Sequence, residues 1–133
     1  MTLLLDTHVW IWSQGQPEKL GHRSVQALLT PQYTNTICTI STLELARLLA
    51  LGTISLAMPL RDWIEQSLRE LAATTLPLTH EIAAEAYALP SAFHKDPADR
   101  ILVAAARIHR LTLLTADERI LHYPRVRTID ARR

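Results

Sequence analysis

Short apolar runs separated by helix-length segments constrain this chain more than any other feature. "TLLLDT" (2–7) is an apolar run that ends in a polar pair, the pattern of a strand buried on both faces of a parallel sheet. "NTICTIS" (35–41) is rich in β-branched residues and predicts a second strand. "TLPLT" (75–79), "LTLLTAD" (111–117) and "RVRTID" (125–130) predict three more. Between them lie segments with helical spacing: "RSVQALL" up to Pro31, "TLELARLLALG" capped by Ser41 or Thr42 and stopped by Gly52, "PLRDWIEQSLRELAA" from Pro59, "HEIAAEAYAL", and a helix that runs from Asp96 to near Leu111. Strands alternating with such helices predict βαβ units and a mostly parallel central sheet flanked by helices. The chain has 133 residues, no linker and no internal repeat, so residues 1–133 are expected to form one α/β domain.

Composition removes several function classes. Hydrophobic residues make up 48% of the chain and charged residues 20%, which argues against disorder. One cysteine, Cys38, allows neither an internal disulfide nor a thiolate metal cluster and favours a reducing, cytoplasmic setting. "ILVAAARIHRL" is interrupted by Arg107, His109 and Arg110, so no run reaches membrane-spanning length and no membrane is expected. "MTLLLDTHVWIW" has no basic leader and no cleavage site, and it is expected to be mature protein. The net charge of +1 neither requires nor forbids a nucleic-acid partner. The last nine residues, "RVRTIDARR", form a modest basic tail, for which a solvated terminus is the default and phosphate contact the alternative.

Acidic residues recur at the ends of the expected strands. In an open parallel sheet, ligands bind beyond the carboxyl ends of the strands. Asp6 follows the first strand, Glu44 is expected in the first turn of the helix after the second, and Asp117 follows "LTLLT". Each has a local explanation: an Asx turn with Thr7 and His8 for Asp6, a favourable helix dipole for Glu44, a cap on "DERILHY" for Asp117. In "HKDPADR", Asp96 suits the N-cap, Pro97 the first helical position and Asp99 the third. That helix leads back into the next strand, so whether Asp99 reaches the edge where the other three lie is open. Carboxylates gathered at one place repel one another unless a cation neutralises them. An oxygen-only set with no thiolates points to Mg²⁺ or Mn²⁺.

These segments together resemble the PIN domains, specifically the VapC-type toxins of bacterial toxin–antitoxin pairs. The resemblance covers nearly the whole chain and is carried by "LLLDTHVWIW", "ISTLELARLLALGTISL", "HKDPADRILVAAA" and "LTLLTAD". It implies that Asp6, Glu44, Asp99 and Asp117 form an acidic quartet that binds Mg²⁺ or Mn²⁺ and hydrolyses RNA, with Asp6 and Asp99 as direct ligands. It places Thr7 and Thr115 beside the metal site as supporting residues and leaves Asp96 with its capping role. It implies an RNA substrate such as tRNA or another structured RNA, a VapB-type antitoxin and a homodimer. Arg100 is a candidate for RNA phosphates, with pairing to a neighbouring carboxylate as the expected alternative. His8 and His94 are weaker candidates for RNA contact.

Two rival chemistries lack their residues. An aspartyl-phosphate enzyme of the haloacid-dehalogenase type needs a second Asp two positions after the first, where this chain has His8. A nucleotide-binding domain needs a glycine-rich phosphate loop, and this chain has three scattered glycines. The remaining rival is a PIN-fold module that binds RNA or protein without cutting.

Overall fold

The computed structural model describes residues Met1–Arg133. Five strands form one all-parallel sheet: β1 (Thr2–Leu5), β2 (Thr34–Cys38), β3 (Thr74–Leu76), β4 (Thr112–Thr115) and β5 (Thr128–Asp130). Their order is β3-β2-β1-β4-β5, so the first strand in the chain is the central one. Leu4 of β1 pairs in register with Thr36 of β2 and with Leu113 of β4.

Seven α-helices surround the sheet. They are α1 (Thr7–Gly15), α2 (His22–Leu29), α3 (Thr39–Ala50), α4 (Leu60–Glu70), α5 (His80–Glu85), α6 (Pro97–His109) and α7 (Glu118–Leu121). The alternation of side chains along β1 sends Leu4 to one face and Leu3 and Leu5 to the other. Leu4 packs with Ile82, Leu102, Val103 and Ile120 beneath α5, α6 and α7. Leu3 and Leu5 pack with Val9, Trp10, Leu45 and Trp63 beneath α1, α3 and α4. All three leucines are fully buried, each contributing about 1.5–3 kcal/mol of transfer free energy. The Trp10 indole N–H donates to Ser67 Oγ at 2.9 Å, which fixes α1 against α4.

One helix, α1, is unexpected, and several boundaries differ from expectation, among them β5, which starts at Thr128 and not at Arg125. Thr7–Gly15 has no clean amphipathic period, yet it forms α1 because Asp6 caps it and its aromatic face is buried. Helix α3 starts at Thr39 with Cys38 at its N-cap and no capping side chain, so neither Ser41 nor Thr42 caps it. Ser41 is instead fully buried inside the helix, and Glu44 falls in the second turn rather than the first. The third strand is Thr74–Leu76, ending before Pro77, which has no N–H for a ladder. Helix α5 stops at Glu85, well short of Leu89.

Gly52 ends α3 as expected: with φ at 73°, it directs the Thr53 N–H onto Leu48 O and its own N–H onto Leu49 O.

Candidate active site

Helix α6 decides the geometry that sequence left open. It leads directly into β4 and crosses the sheet in the opposite direction, so its N-terminus lies at the carboxyl edge of the strands. Asp96 caps it, accepting from the Ala98 N–H at 2.9 Å and the Asp99 N–H at 3.2 Å. Pro97 occupies the first turn. The cap thus holds Asp99 over the ends of β1 and β4. A cleft of about 230 Å³ opens there, and its walls carry Asp6, Glu44, Asp96, Asp99 and Asp117 with Arg119 at the side.

Asp6 is the most constrained of these. Its Oδ1 accepts from the Thr7 N–H at 2.7 Å and its Oδ2 from the Thr115 hydroxyl at 2.7 Å. Burial raises its pKa, and His8, Thr115 and the Thr7 amide oppose that rise. Thr115 is fully buried, and its oxygen also accepts the Asp117 N–H at 3.0 Å. One hydroxyl therefore ties the first and fourth carboxylates to the end of β4. Thr7 performs the same service for Glu44, donating to Oε1 at 2.5 Å while lying 2.9 Å from Ser41 Oγ. Burial raises the Glu44 pKa, with the Thr7 hydrogen bond opposing it.

Asp99 is only 8% exposed and accepts no hydrogen bond from a neutral donor at its carboxylate. Burial pushes its pKa up to about 8, reinforced by the charges of Asp6, Asp96, Asp117 and Glu44. Asp117 goes the other way. Burial works to raise its pKa, but Arg119, bonded Nε to Oδ1 at 3.3 Å and Nη2 to Oδ2 at 3.0 Å, overcomes that and lowers it. The same Nη2 lies 3.5 Å from Asp99 Oδ2.

The donor set suits a hard divalent cation. It consists of carboxylates backed by hydroxyls, and a cation would favour the ionised form of Asp99, whose pKa burial raises first and the neighbouring acids raise further. No three acidic, histidine or cysteine side chains converge on one point, so the carboxylates line the walls of a cleft and do not close a preformed cage.

The structure brings Asp6, Thr7, Glu44, Asp96, Asp99 and Asp117 into that one cleft, with Thr115 directly beneath it. Arg100 is elsewhere. It pairs with no carboxylate, contrary to expectation; its Nε donates to Ala86 O at 2.8 Å, and its Nη1 donates to Phe93 O at 3.0 Å and His94 O at 2.9 Å. The guanidinium stacks over Tyr87 and pins the connection between α5 and α6. His8 also lines the cleft, its Nδ1 3.7 Å from Asp6 Oδ1 while its Nε2 accepts the Ala116 N–H at 2.9 Å.

One neighbour of the site, Arg119, is not marked by the sequence, and a second, His94, is marked only as a candidate for RNA contact. Arg119 carries no motif, and its only signal is its place two residues after Asp117 in the first turn of α7. His94 had been a weak candidate for RNA contact; its Nδ1 accepts the Asp96 N–H at 3.3 Å and its Nε2 sits 3.1 Å from Asp99 Oδ2, without hydrogen-bond alignment. Burial, then Arg119, lowers its pKa.

The PIN-domain family model matches residues 3–126. The chain belongs to the PIN-domain family. It is 38% identical over 119 residues to Ribonuclease VapC22 of Mycobacterium tuberculosis, a match that covers 90% of this chain and 89% of that protein. This PIN domain also superposes on VapBC2 from Rickettsia felis, solved bound to a DNA fragment from their promoter, with a TM-score of 0.73 at 14% identity over 98% of each chain. FitAcB from Neisseria gonorrhoeae matches with a TM-score of 0.66 at 25% identity over 97% of each chain. No helix of this PIN domain is long and apolar enough to cross a membrane.

Proposed function

We propose that this PIN domain is a metal-dependent endoribonuclease, the toxin of a VapBC-type pair, spanning residues 1–133 as one domain and acting in the cytoplasm. The observation that carries the reading is the convergence of Asp6, Glu44, Asp99 and Asp117 in one cleft at the carboxyl edge of the central strands. The relationship to Ribonuclease VapC22 supports it.

Asp6 and Asp99 are the direct ligands of Mg²⁺ or Mn²⁺ in this reading, and Glu44 and Asp117 complete the site. The bound ion supplies Lewis-acid polarisation of the phosphoryl oxygens and lowers the pKa of water. Thr115 and Thr7 hold Asp6 and Glu44 in fixed rotamers, which limits reorganisation during the reaction. Glu44, half-buried and of raised pKa, takes the proton from the attacking water. The water oxygen bonds to phosphorus, the bond to the leaving oxygen breaks, and that oxygen takes a proton from solvent water at the open mouth of the cleft while Glu44 releases the proton it took. No nucleophilic side chain is required.

The partners in this reading are a structured RNA such as tRNA, a VapB-type antitoxin and a second copy of the chain. Leu43, exposed on α3, and Leu51, exposed just past its end, are consistent with an apolar partner surface.

The test is cleavage of total tRNA and structured RNA by the purified chain with Mn²⁺, Mg²⁺ or chelator. Asp6→Asn and Asp99→Asn are each expected to reduce cleavage by about 10² or more, the scale for losing one charge-stabilising group. A folded chain that binds neither metal nor cleaves RNA would overturn the nuclease reading in favour of a non-cutting module.

A further inference from the structure

The basic tail is divided by the fold. Arg132 Nη2 pairs with Asp130 at 2.9 Å and also with Glu118, and Arg133 Nε lies 3.7 Å from Asp130. Arg125 and Arg127 pair with no carboxylate. They face Arg107 and Arg110, from the end of α6, across a second cavity of about 410 Å³. Its floor is apolar, formed by Ala106, Leu111 and Val126.

This pocket is at the opposite edge of the sheet from the carboxylates, where the Leu113 N–H donates to Arg127 O at 2.9 Å. Arg107 is a structural wall: its Nη1 donates to Arg125 O at 2.6 Å and its Nε lies 3.4 Å from Glu85, the only acid paired in the group. Arg110, Arg125 and Arg127 are exposed and pair with no carboxylate, the Arg125 Nε donating only to the neutral Ser91 Oγ at 3.4 Å. A negative helix C-terminus accounts for basic residues on α6, but Arg125 and Arg127 come from the loop before β5, which no helix dipole explains. Arg110 has φ at 56°, a left-handed conformation that glycine would hold more easily. Three uncompensated guanidinium groups around a concavity create a local positive field although the whole chain carries a net charge of only +1.

We propose that this arginine pocket binds backbone phosphates of RNA at a position remote from the carboxylate cleft. The proposal rests on the ribonuclease reading for its choice of polyanion. Asp99 and Arg110 are eleven residues apart on α6, about 16 Å at helical rise, so only an RNA that is folded or several nucleotides long reaches both sites. The pocket thereby favours structured RNA over short fragments. Arginine forks match phosphate oxygens in pairs, and the apolar floor accommodates a sugar or base.

The test is a combined variant, Arg110→Gly, Arg125→Ser and Arg127→Ser, in the full chain. Arg110→Gly relaxes the left-handed residue, and the thermal midpoint checks that the fold is retained. Binding of a fluorescein-labelled RNA stem-loop is read by anisotropy in chelator between 50 and 200 mM KCl. Loss of three phosphate contacts reduces the log–log salt slope by about two to three. Lysine at the same three positions restores most of that slope, whereas a purely structural role would not be rescued by charge. A dinucleotide cleavage reporter with Mn²⁺ is expected to give the same kcat/KM for the wild type and the variant.

An unchanged affinity and slope overturns the proposal, and doing so while wild-type cleavage persists leaves the nuclease reading intact. A reduced slope in a chain that cleaves nothing keeps the pocket and sinks the nuclease reading. Loss of poly-glutamate binding without loss of RNA binding assigns the pocket to an acidic peptide and overturns the proposal.

Discussion

The hydroxyl of Thr115, the last residue of β4, donates to Asp6 Oδ2 at 2.7 Å across the seam between the two central strands. One hydrogen bond from the end of β4 thus helps set the rotamer of a carboxylate at the end of its neighbour, β1. Thr115→Val keeps the shape of the side chain and removes this donor. It leaves Asp6 Oδ2 and the Asp117 N–H without their partner, at a cost of about 1–3 kcal/mol. Activity and metal affinity are expected to fall about 10- to 100-fold, the range for supports of metal ligands. Urea denaturation and calorimetric Mn²⁺ titration check the two effects separately.

Asp99 makes metal-free stability depend on pH. Its folded pKa of about 8 lies above the ordinary 3.8, so the folded chain holds a proton that the unfolded chain releases. The contribution to stability is complete below about pH 4 and is lost as pH rises toward about 8. Thermal midpoints in chelator are expected to decline over that window, and Asp99→Asn is expected to flatten the decline. Mn²⁺ reverses the trend by stabilising the ionised form. A decline that survives in Asp99→Asn would assign it to other groups.

Two substitutions at Asp96 separate its cap from its charge. Asp96→Ala removes the acceptor for two amides and costs about 1 kcal/mol of helix stability. Asp96→Asn keeps an N-cap oxygen and removes one of the charges that raise the Asp99 pKa. The asparagine variant is therefore expected to retain stability while lowering the Asp99 pKa, measured by carboxyl-selective NMR titration. Equal stability losses in both variants would show that the charge, not the cap, is the contribution that matters.

Arg119 occupies the mouth of the cleft as an internal cation, with its fork on Asp117 and one nitrogen near Asp99. Its guanidinium competes for oxygens that a divalent ion would take. Arg119→Gln is expected to tighten Mn²⁺ binding a few-fold in calorimetry. Weaker Mn²⁺ binding in that variant would instead identify Arg119 as a support for the ligands.

The strand pattern was readable because each short apolar run ended at a polar residue, and all five runs became strands of one parallel sheet. The acidic positions followed from those ends, and Asp96 with Pro97 marked the start of α6 correctly. Less visible were features set by contacts distant in sequence. Ser41 looks like a cap because local chemistry favours it, but burial against Thr7 draws the helix start back to Thr39. Arg100 looks free to pair with an acid, yet three carbonyls from the α5–α6 connection claim it. The arrival of Asp99 at the cleft depends on the path of a whole helix across the sheet, which no local pattern encodes.

The central place of β1 has a consequence for how the chain comes into being. Its inner neighbours are β2, about thirty residues later, and β4, for which Leu4 must wait for Leu113. Such non-local pairing is slow to form because loop closure precedes the contacts that reward it. During synthesis Asp6 emerges well before Asp99 and Asp117, so a partly made chain carries its first carboxylate without a cleft to put it in. A chain that stops anywhere before β4 therefore lacks both the central pairing and the cleft in which the carboxylates meet.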